Sequence, residues 1–520
     1  MKNRKLGVLM PALLGLLLVW GCTDLTEKPY GVVTPENFYQ TEGELVAAVV
    51  PVYNGLKNAS WGDYAHLQDI SSDAMVVPTR GGDWDDGGIW RNLQEHDWQP
   101  SLGFLNGAWT GAYGGVARAN STLDALGRAE QTDLVKTFTA EVKVLRALYY
   151  WWLMDLFGGV PVVTDATTAE AFSFIAETDE SDNIEPVDPD RPPAPNTRKE
   201  VFDFIVAQVK EALPDLEESH GAGNYGRITS GAANALLATV YLNAEVYAGE
   251  AMWEETIAAC DEVINSGLYD LMPSFDDVFA LENEGPSNTE NILVFANRPE
   301  GEWDASWLRH MATLHYNQIP ASPWNGFSVL ADFYNSFDSV DARRDQILVG
   351  QQYVLAGPDE GDSAFDRDGN PLVFTVESPL VDATEGNGPR ILKWPIDPDM
   401  SGWFGGNDYA IFRYSHILLA KAEAQFRLNG GGLALVNQVR ERAGLDPLST
   451  LNEDDIYWER GHEFLWEGFR RQDQIRFGTW EGAWTLHDAT GDENLELFPI
   501  PQIQLDANPN LSQNPGYLGS

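Results

Sequence analysis

Tryptophan-bearing loops are where this sequence could do chemistry. The chain carries 18 Trp, 18 Tyr and 23 Phe, and several of the tryptophans fall in stretches without helical periodicity. Residues 60–106 form one such stretch, rich in Gly, Asp and Trp, with the run PTRGGDWDDGGIW inside it; residues 301–327 form a second. Loops of that length inside a compact protein are uncommon unless they serve a function. Patches of sugar C–H stack on Trp and Tyr, while sugar hydroxyls need Asp, Asn and Arg partners. Arg80, Asp83, Trp84, Trp90, Trp98, Trp303 and Trp324 supply that mixture and form the candidate ligand-binding set. Trp109, Trp151, Trp152 and Trp253 lie on helical patterns and are assigned to packing.

Catalysis finds no comparable support. Pairs of carboxylates are always available among 79 acidic residues, so they say nothing about glycoside hydrolysis without geometry. The eight histidines show no zinc spacing. No nucleophile elbow, P-loop or dinucleotide fingerprint occurs. Glu463 and Glu467 lie beside Arg470 and Arg471 at spacings that suit ion pairs. The run DRDGNP, residues 366–371, reads as a hairpin turn; it starts like a calcium loop but lacks the required downstream Glu. Cys260 sits in an amphipathic helical pattern with no His nearby to activate it, and reads as a small buried hydrophobe. A binding protein without catalytic residues, metal or cofactor is the expectation.

Charge narrows the partners. The formal net charge is −46, and only 10 of the 33 basic residues are lysine. Such a field repels nucleic acid and anionic membrane surfaces, so no nucleic-acid partner is expected. It also opposes compaction unless salt screens it, with a Debye length of about 3 Å at 1 M. A high-salt habitat is the physical reading.

Helices must position the loops. In residues 140–164, Leu145, Leu148, Tyr149, Trp152 and Leu156 fall on one helix face. Over residues 148–153 apolar side chains go nearly all the way round, the pattern of a helix buried by several neighbours. Gly158 and Gly159 can take the positive φ that ends it, and Pro161 prevents resumption. Further helices are expected at 37–56, from Trp109 onward, and at 201–216. A pair at 232–247 and 253–266 has alanines that permit close approach, similar to a tetratricopeptide repeat. Prolines and acids between residues 178 and 196 mark an exposed loop. After residue 291 the pattern is loop-rich, and helices return at 410–428, 433–443 and 456–477. The proline-punctuated end is expected to wrap the surface without forming helix.

The N-terminus reads as an export signal. Lys2, Arg4 and Lys5 precede an apolar run of 14 residues, too short to span a bilayer. Val19-Trp20-Gly21-Cys22 resembles a bacterial lipobox, with Trp20 in place of the usual small residue. Cleavage before Cys22 and lipidation of that cysteine are expected. Several acyl chains, at about 0.8 kcal/mol per buried CH₂, would anchor the protein stably. No other segment is long and apolar enough to span, so the membrane is engaged by the lipid anchor only.

These pieces, with WTGAYGGVARAN, EVKVLRALYYWWLMDLFGGVPVV, INSGLYDL, RYSHILLAKAEAQFRLNG, VNQVRERAGL, ERGHEFLWEGFRRQDQIRFG and PIPQIQLDANPNLSQNPGY, run the whole length of the chain. In order and spacing they resemble the SusD/RagB family of outer-membrane nutrient-binding lipoproteins. Ser415-His416 departs from the Ala-Glu more usual there. The resemblance implies a mainly α fold, a right-handed superhelix of tetratricopeptide-like helix pairs, with long loops and a few short strands forming a ligand face. It implies a signal peptide over residues 1–21, a tether over 22–34, an N-terminal helical region over 35–290 and a C-terminal region over 291–520. It also implies an outer-membrane location exposed at the cell surface, an oligosaccharide ligand, and a TonB-dependent, SusC-like barrel as partner. An oligopeptide is the competing ligand; a structural helical adaptor and a glycoside hydrolase are the more distant alternatives.

Overall fold

A capping box opens the described part of the chain. The Thr41 hydroxyl accepts from the Glu44 amide (3.3 Å) and the Glu44 carboxylate from the Thr41 amide (2.8 Å). This satisfies donors that a helix start leaves open, and α1 (Glu42–Tyr53) follows. The computed structural model describes residues 41–165, 192–297 and 309–517. The expected signal segment, the tether with Cys22, most of the acidic proline-rich loop and Trp303 lie outside the described residues.

Residues 60–106, expected to be irregular, contain α2 (Asp63–Asp69), β1 (Met75–Val76) and α3 (Ile89–Glu95), with α4 (Gly103–Arg128) beginning at their end. Short helices satisfy backbone groups that a buried coil would leave unpaired. The central helix is α5 (Asp133–Phe157). Every residue from Val144 to Phe157 is buried, as the all-round apolar pattern requires, and Gly158 ends the helix at φ 75°. It packs along α4, where Tyr149 lies against Gly115; a Cβ on that glycine would come within 2.5 Å of the ring. Glycine there is what allows the two helices to approach.

A second capping box, Thr197 with Glu200, starts α6 (Arg198–Ala212), which covers another side of α5. Then α7 (Ser230–Leu242) packs on α8 (Trp253–Asn265) through a surface rich in buried alanine, with Cys260 buried and unpaired on α8. The helix expected to run to residue 247 instead stops at Leu242, and a short helix, Ala244–Ala248, follows. The Asn243 side chain hydrogen-bonds back to the Thr239 carbonyl (2.9 Å), the competition with helix geometry that Asn offers.

Short strands supply the non-helical part: β2 (Asn291–Phe295), β3 (Ser328–Val329), β4 (Ile347–Leu348), β5 (Gly350–Gln351), β6 (Val373–Phe374), β7 (Arg390–Ile391) and β8 (Tyr409–Arg413). They form antiparallel pairs β1–β3, β2–β8, β4–β7 and β5–β6. Helix was expected from residue 410, but β8 occupies 409–413 and pairs with β2, Phe295 opposite Tyr409. A short apolar run buried on both faces reads alike as helix or strand, and the β2 partner decides it. The helix proper is α9 (Tyr414–Asn429), followed by α10 (Leu433–Arg442).

The helix expected over 456–477 is two: α11 (Glu453–Glu463) and α12 (Arg470–Arg476). Between them Trp466 takes φ 63° and Gly468 φ 80°. The C-terminal segment, expected to be free of helix, contains α13 (Gln502–Ala507) directly after Pro501, a place where the missing N–H costs nothing. One hydrophobic cluster reaches from Leu45 to Ile500. The architecture is mainly α, built from tetratricopeptide-like helix pairs, with loops and small sheets gathered between β1 and β8.

Candidate ligand-binding face

The pairing of β1 with β3 builds the site. Its antiparallel register sets Met75 opposite Val329 and Val76 opposite Ser328. The chain leaving β1 therefore runs beside the chain entering β3, and the two tryptophan loops meet. The Trp84 indole N–H donates to the Trp324 carbonyl (2.8 Å), and its ring lies against Gly326, where a Cβ would come within 2.4 Å. Trp84 also meets Phe327 and Trp90 edge to face, with centroids 5.6 and 5.7 Å apart. Trp324 contacts Trp403 at 5.7 Å with the rings 85° apart, above a small separate core of Met311, Leu314 and Ile319. Trp84 and Trp324 are half-buried and Trp403 is 43% exposed.

Backbone strain gathers at the same place. Trp84, Asp86, Ser322 and Asn325, all non-glycine, adopt positive φ between 41° and 64°. Such residues cost of order 1–3 kcal/mol each and persist only where surroundings over-determine them.

A polar network borders the rings. Asp83 accepts from the Tyr316 hydroxyl (2.7 Å) and from Arg367 (2.8 Å). The Arg367 guanidinium lies 4.3 Å over the Tyr316 ring and bonds Glu385, which also accepts from the Arg367 amide and meets His315 Nε2, each at 2.9 Å. The hydrogen bond from Tyr316, helped by Arg367, holds the Asp83 pKa below the usual carboxylate range. Burial opposes ionisation of Glu385, yet hydrogen bonds from Arg367 and His315 still hold its pKa low. Burial lowers the pKa of His315 despite that carboxylate, and raises that of Tyr316.

The other sequence-predicted residues sit behind this face. Arg80 is 2% exposed; it bonds the carbonyls of Thr384 and Asn387 and the Ser328 hydroxyl, and burial pulls its pKa down to about 9. Its link to Asp83 is a reciprocal backbone pair at 2.9 Å, not an ion pair. Trp90, 6% exposed, donates to Asp86 and backs Trp84. Trp98, 2% exposed, donates to the Tyr517 hydroxyl and packs on Phe498 at 4.5 Å, so it braces the C-terminal segment. Neither presents a free ring face to solvent.

Sequence reasoning passed over Trp403, Tyr316, Arg367 and Glu385. Two signals were available: Tyr316 lies within the 301–327 stretch, and the DRDGNP turn, which forms as expected with Gly369 at φ 83°, presents Arg367. Elsewhere, an open groove of about 800 Å³ lies between α6, α7 and α8, lined among others by Leu237, Tyr241, Glu255 and Leu268, and shares no residue with the loop face. Among the described residues no cluster of three or more His, Cys, Asp or Glu could hold a metal ion, and no helix is long and apolar enough to cross a membrane.

Comparison with known proteins fits this architecture. The model of the SusD family matches residues 289–517, and one described as starch-binding and associating with the outer membrane matches residues 58–242. A SusD-like protein of Bacteroides ovatus is 28% identical over 490 residues, covering 89% of this chain and 80% of that one. The starch-binding protein SusD of Bacteroides thetaiotaomicron is 25% identical over 425 residues, 73% of this chain and 72% of its own. Among solved structures, surface glycan-binding protein A from Bacteroides thetaiotaomicron, in complex with laminarihexaose, has the same fold. Its TM-score is 0.70 at 23% identity, covering 91% of this chain and 99% of that one. The chain belongs to the SusD/RagB family, whose members are binding proteins rather than catalysts.

Proposed function

We propose that this protein captures an oligosaccharide at the cell surface, without chemical turnover, and passes it to a TonB-dependent outer-membrane barrel. The observation that carries the reading is the corner formed by Trp84, Trp324 and Trp403 beside Asp83, Tyr316, Arg367 and Glu385. Indole faces match sugar C–H patches, and the fixed donors and acceptors alongside suit hydroxyls. Relatives named for starch and laminarin binding support the ligand class. Trp90 and Trp98 act as buttresses in this reading, and Arg80 holds the loops. The basic n-region, the apolar run and Cys22 support a lipid-anchored outer-membrane location. The acidic field favours neutral or cationic glycans over uronates unless high salt screens the repulsion.

A binding screen tests this. Protein lacking residues 1–22, assayed in molar salt against laminarin, starch, chitosan oligomers and peptide digests, is expected to retain a saccharide and release no product. Retention of peptides alone would transfer the site to oligopeptides, and shortened sugars in the supernatant would make the protein an enzyme. The Cys22→Ala chain is expected to leave the membrane fraction, and the lipidated chain to co-purify with a barrel protein.

A further inference from the structure

Two buried cations lie beneath the face with no carboxylate at ion-pair distance among the described residues. Arg80 is 2% and Arg390 0% exposed, and neither makes an ion pair among the described residues. Their hydrogen bonds run almost wholly to the loops. Arg80 donates to the carbonyls of Thr384 (2.7 Å), Asn387 (2.8 Å) and Gly326 (3.4 Å) and to Ser328 Oγ (2.8 Å). Arg390 donates to the carbonyls of Glu385 (3.0 Å), Asn387 (2.8 Å) and Gly388. It also reaches Ser328 Oγ (2.6 Å) and Asn325 Oδ1 (3.0 Å from Nη2, 3.3 Å from Nε). The Asn387 carbonyl and the Ser328 hydroxyl each accept from both arginines.

Burying two like charges without counterions is unfavourable, and a fold under no other demand replaces such groups with apolar ones. What the pair achieves is a cross-tie. Arg80 belongs to the segment carrying Asp83 and Trp84; Asn325, Gly326 and Ser328 adjoin Trp324; residues 384–388 carry Glu385. Asn325, held at φ 52°, has its amide oxygen bonded by Arg390 and its amide nitrogen bonded to the Glu385 carbonyl (3.1 Å). Two rigid planar forks thus fix three loops and the strained turn between them.

We propose that Arg80 and Arg390 are positioning residues for ligand capture. They pre-order the loops that hold Trp84, Trp324 and Glu385, so that binding does not have to supply the ordering. This rests on the reading of the loop face as the saccharide site. Lysine keeps the charge but cannot fork across several acceptors, so Arg80→Lys and Arg390→Lys separate positioning from charge. The test uses full-length protein in detergent, with laminarihexaose and maltoheptaose as probes, and follows affinity and amide hydrogen exchange together.

In the wild type, amides of residues 325–328 and 384–388 are expected to exchange slowly with or without sugar. In either lysine variant they are expected to exchange fast when free and slowly when sugar is bound. Affinity should fall at least tenfold while the far-ultraviolet circular dichroism stays the same. Should a lysine variant not fold, Ser328→Ala, which removes the acceptor shared by both arginines, is expected to give the same pattern more weakly. Wild-type affinity in the variants, or lost affinity with exchange of these loops unchanged, overturns the proposal. If the wild-type protein binds neither sugar, the saccharide reading for these probes fails. The exchange data still decide the cross-tie: free loops that stay protected in the variants refute it.

Discussion

Glu463 and Glu385 both meet arginine, one in the helical core and one on the loop face, and the contrast separates what holds the fold from what serves the site. Glu463, at the end of α11, is buried and accepts from Arg413 (2.9 Å), Arg343 (3.2 Å) and Arg442. Arg413 also bonds Glu290 (2.5 Å) and Glu467 (2.8 Å), and Lys393 bonds Glu467 as well. Burial alone would raise the Glu463 pKa, but Arg442, Arg413 and Arg343 hold it well below the usual range. Glu385 and Asp83 share one half-exposed arginine, Arg367. The core network joins β8, α10 and α11 through side chains that are almost fully buried. The face network stays within reach of solvent, where hydroxyls of a ligand can join it.

The largest expected effect comes from breaking the core network. Glu463→Gln leaves three buried guanidiniums short of negative charge, and about 3–5 kcal/mol of stability should be lost. Affinity per folded molecule should be unchanged. Denaturant titration with parallel sugar binding checks both, and a change of under about 1 kcal/mol would mean the core pairs are no stronger than surface ones.

The tryptophans divide along the same line. Trp98→Ala should destabilise by about 3–5 kcal/mol, as truncation of a buried aromatic does, and leave sugar affinity alone. Trp403→Ala should leave stability within about 0.5 kcal/mol and weaken binding by roughly 1–3 kcal/mol, the order of a lost stacking contact. Equal effects of the two on binding would erase the proposed distinction between buttress and platform.

Acid should reach the core before the face. Burial pulls the pKa of His310 down to about 4 and, with His487 nearby, that of His96 to about 3, while an unfolded imidazole titrates near about 6.5. The unfolded chain therefore binds more protons below that value. Stability is fully present above about pH 6.5 and falls as pH drops towards the folded values, by roughly 1.4 kcal/mol per unit per imidazole. Asp83 and Glu385 have depressed values, so their tie to Arg367 is intact above about pH 4 and fails only below it. Melting temperature should thus decline from pH 6.5 to 4.5 while affinity of the folded protein stays flat. Affinity that falls in step with stability over that window would contradict the separation.

Arg367→Ala should have only a small effect on stability. The two pairs it breaks, with Asp83 and Glu385, are part-exposed, so a loss below about 1 kcal/mol is expected, shrinking further in molar KCl. The same salt should raise the overall melting temperature, since the chain without residues 1–21 carries a formal −49 (30 basic and 79 acidic residues) and self-repulsion is relieved. A melting temperature indifferent to salt would remove the high-salt reading.

What the sequence determined by itself is whatever depends on neighbours along the chain. The burial of α5 on all sides, its stop at Gly158, the unpaired burial of Cys260 and the turn at Asp366–Pro371 follow from local periodicity and from glycine's access to positive φ. The helix pairs were legible for the same reason, and with them the family. Tertiary structure decided the rest. Spacing pointed Glu463 and Glu467 towards Arg470 and Arg471, but the break at Trp466 turns α12 away. Arg470 instead meets Asp73, Arg471 meets Asp155, and Glu463 takes its arginines from β8, α10 and the turn before β4. The exposure of each tryptophan was likewise out of reach. Trp84 and Trp90 lie six residues apart with similar neighbours in sequence, one in a turn and one in α3, yet only the β1–β3 register sets Trp84 beside Trp324 and leaves Trp90 behind it. An ion pair or a stacking face needs two groups distant in sequence to be brought within about 4–6 Å, and only the folded chain does that.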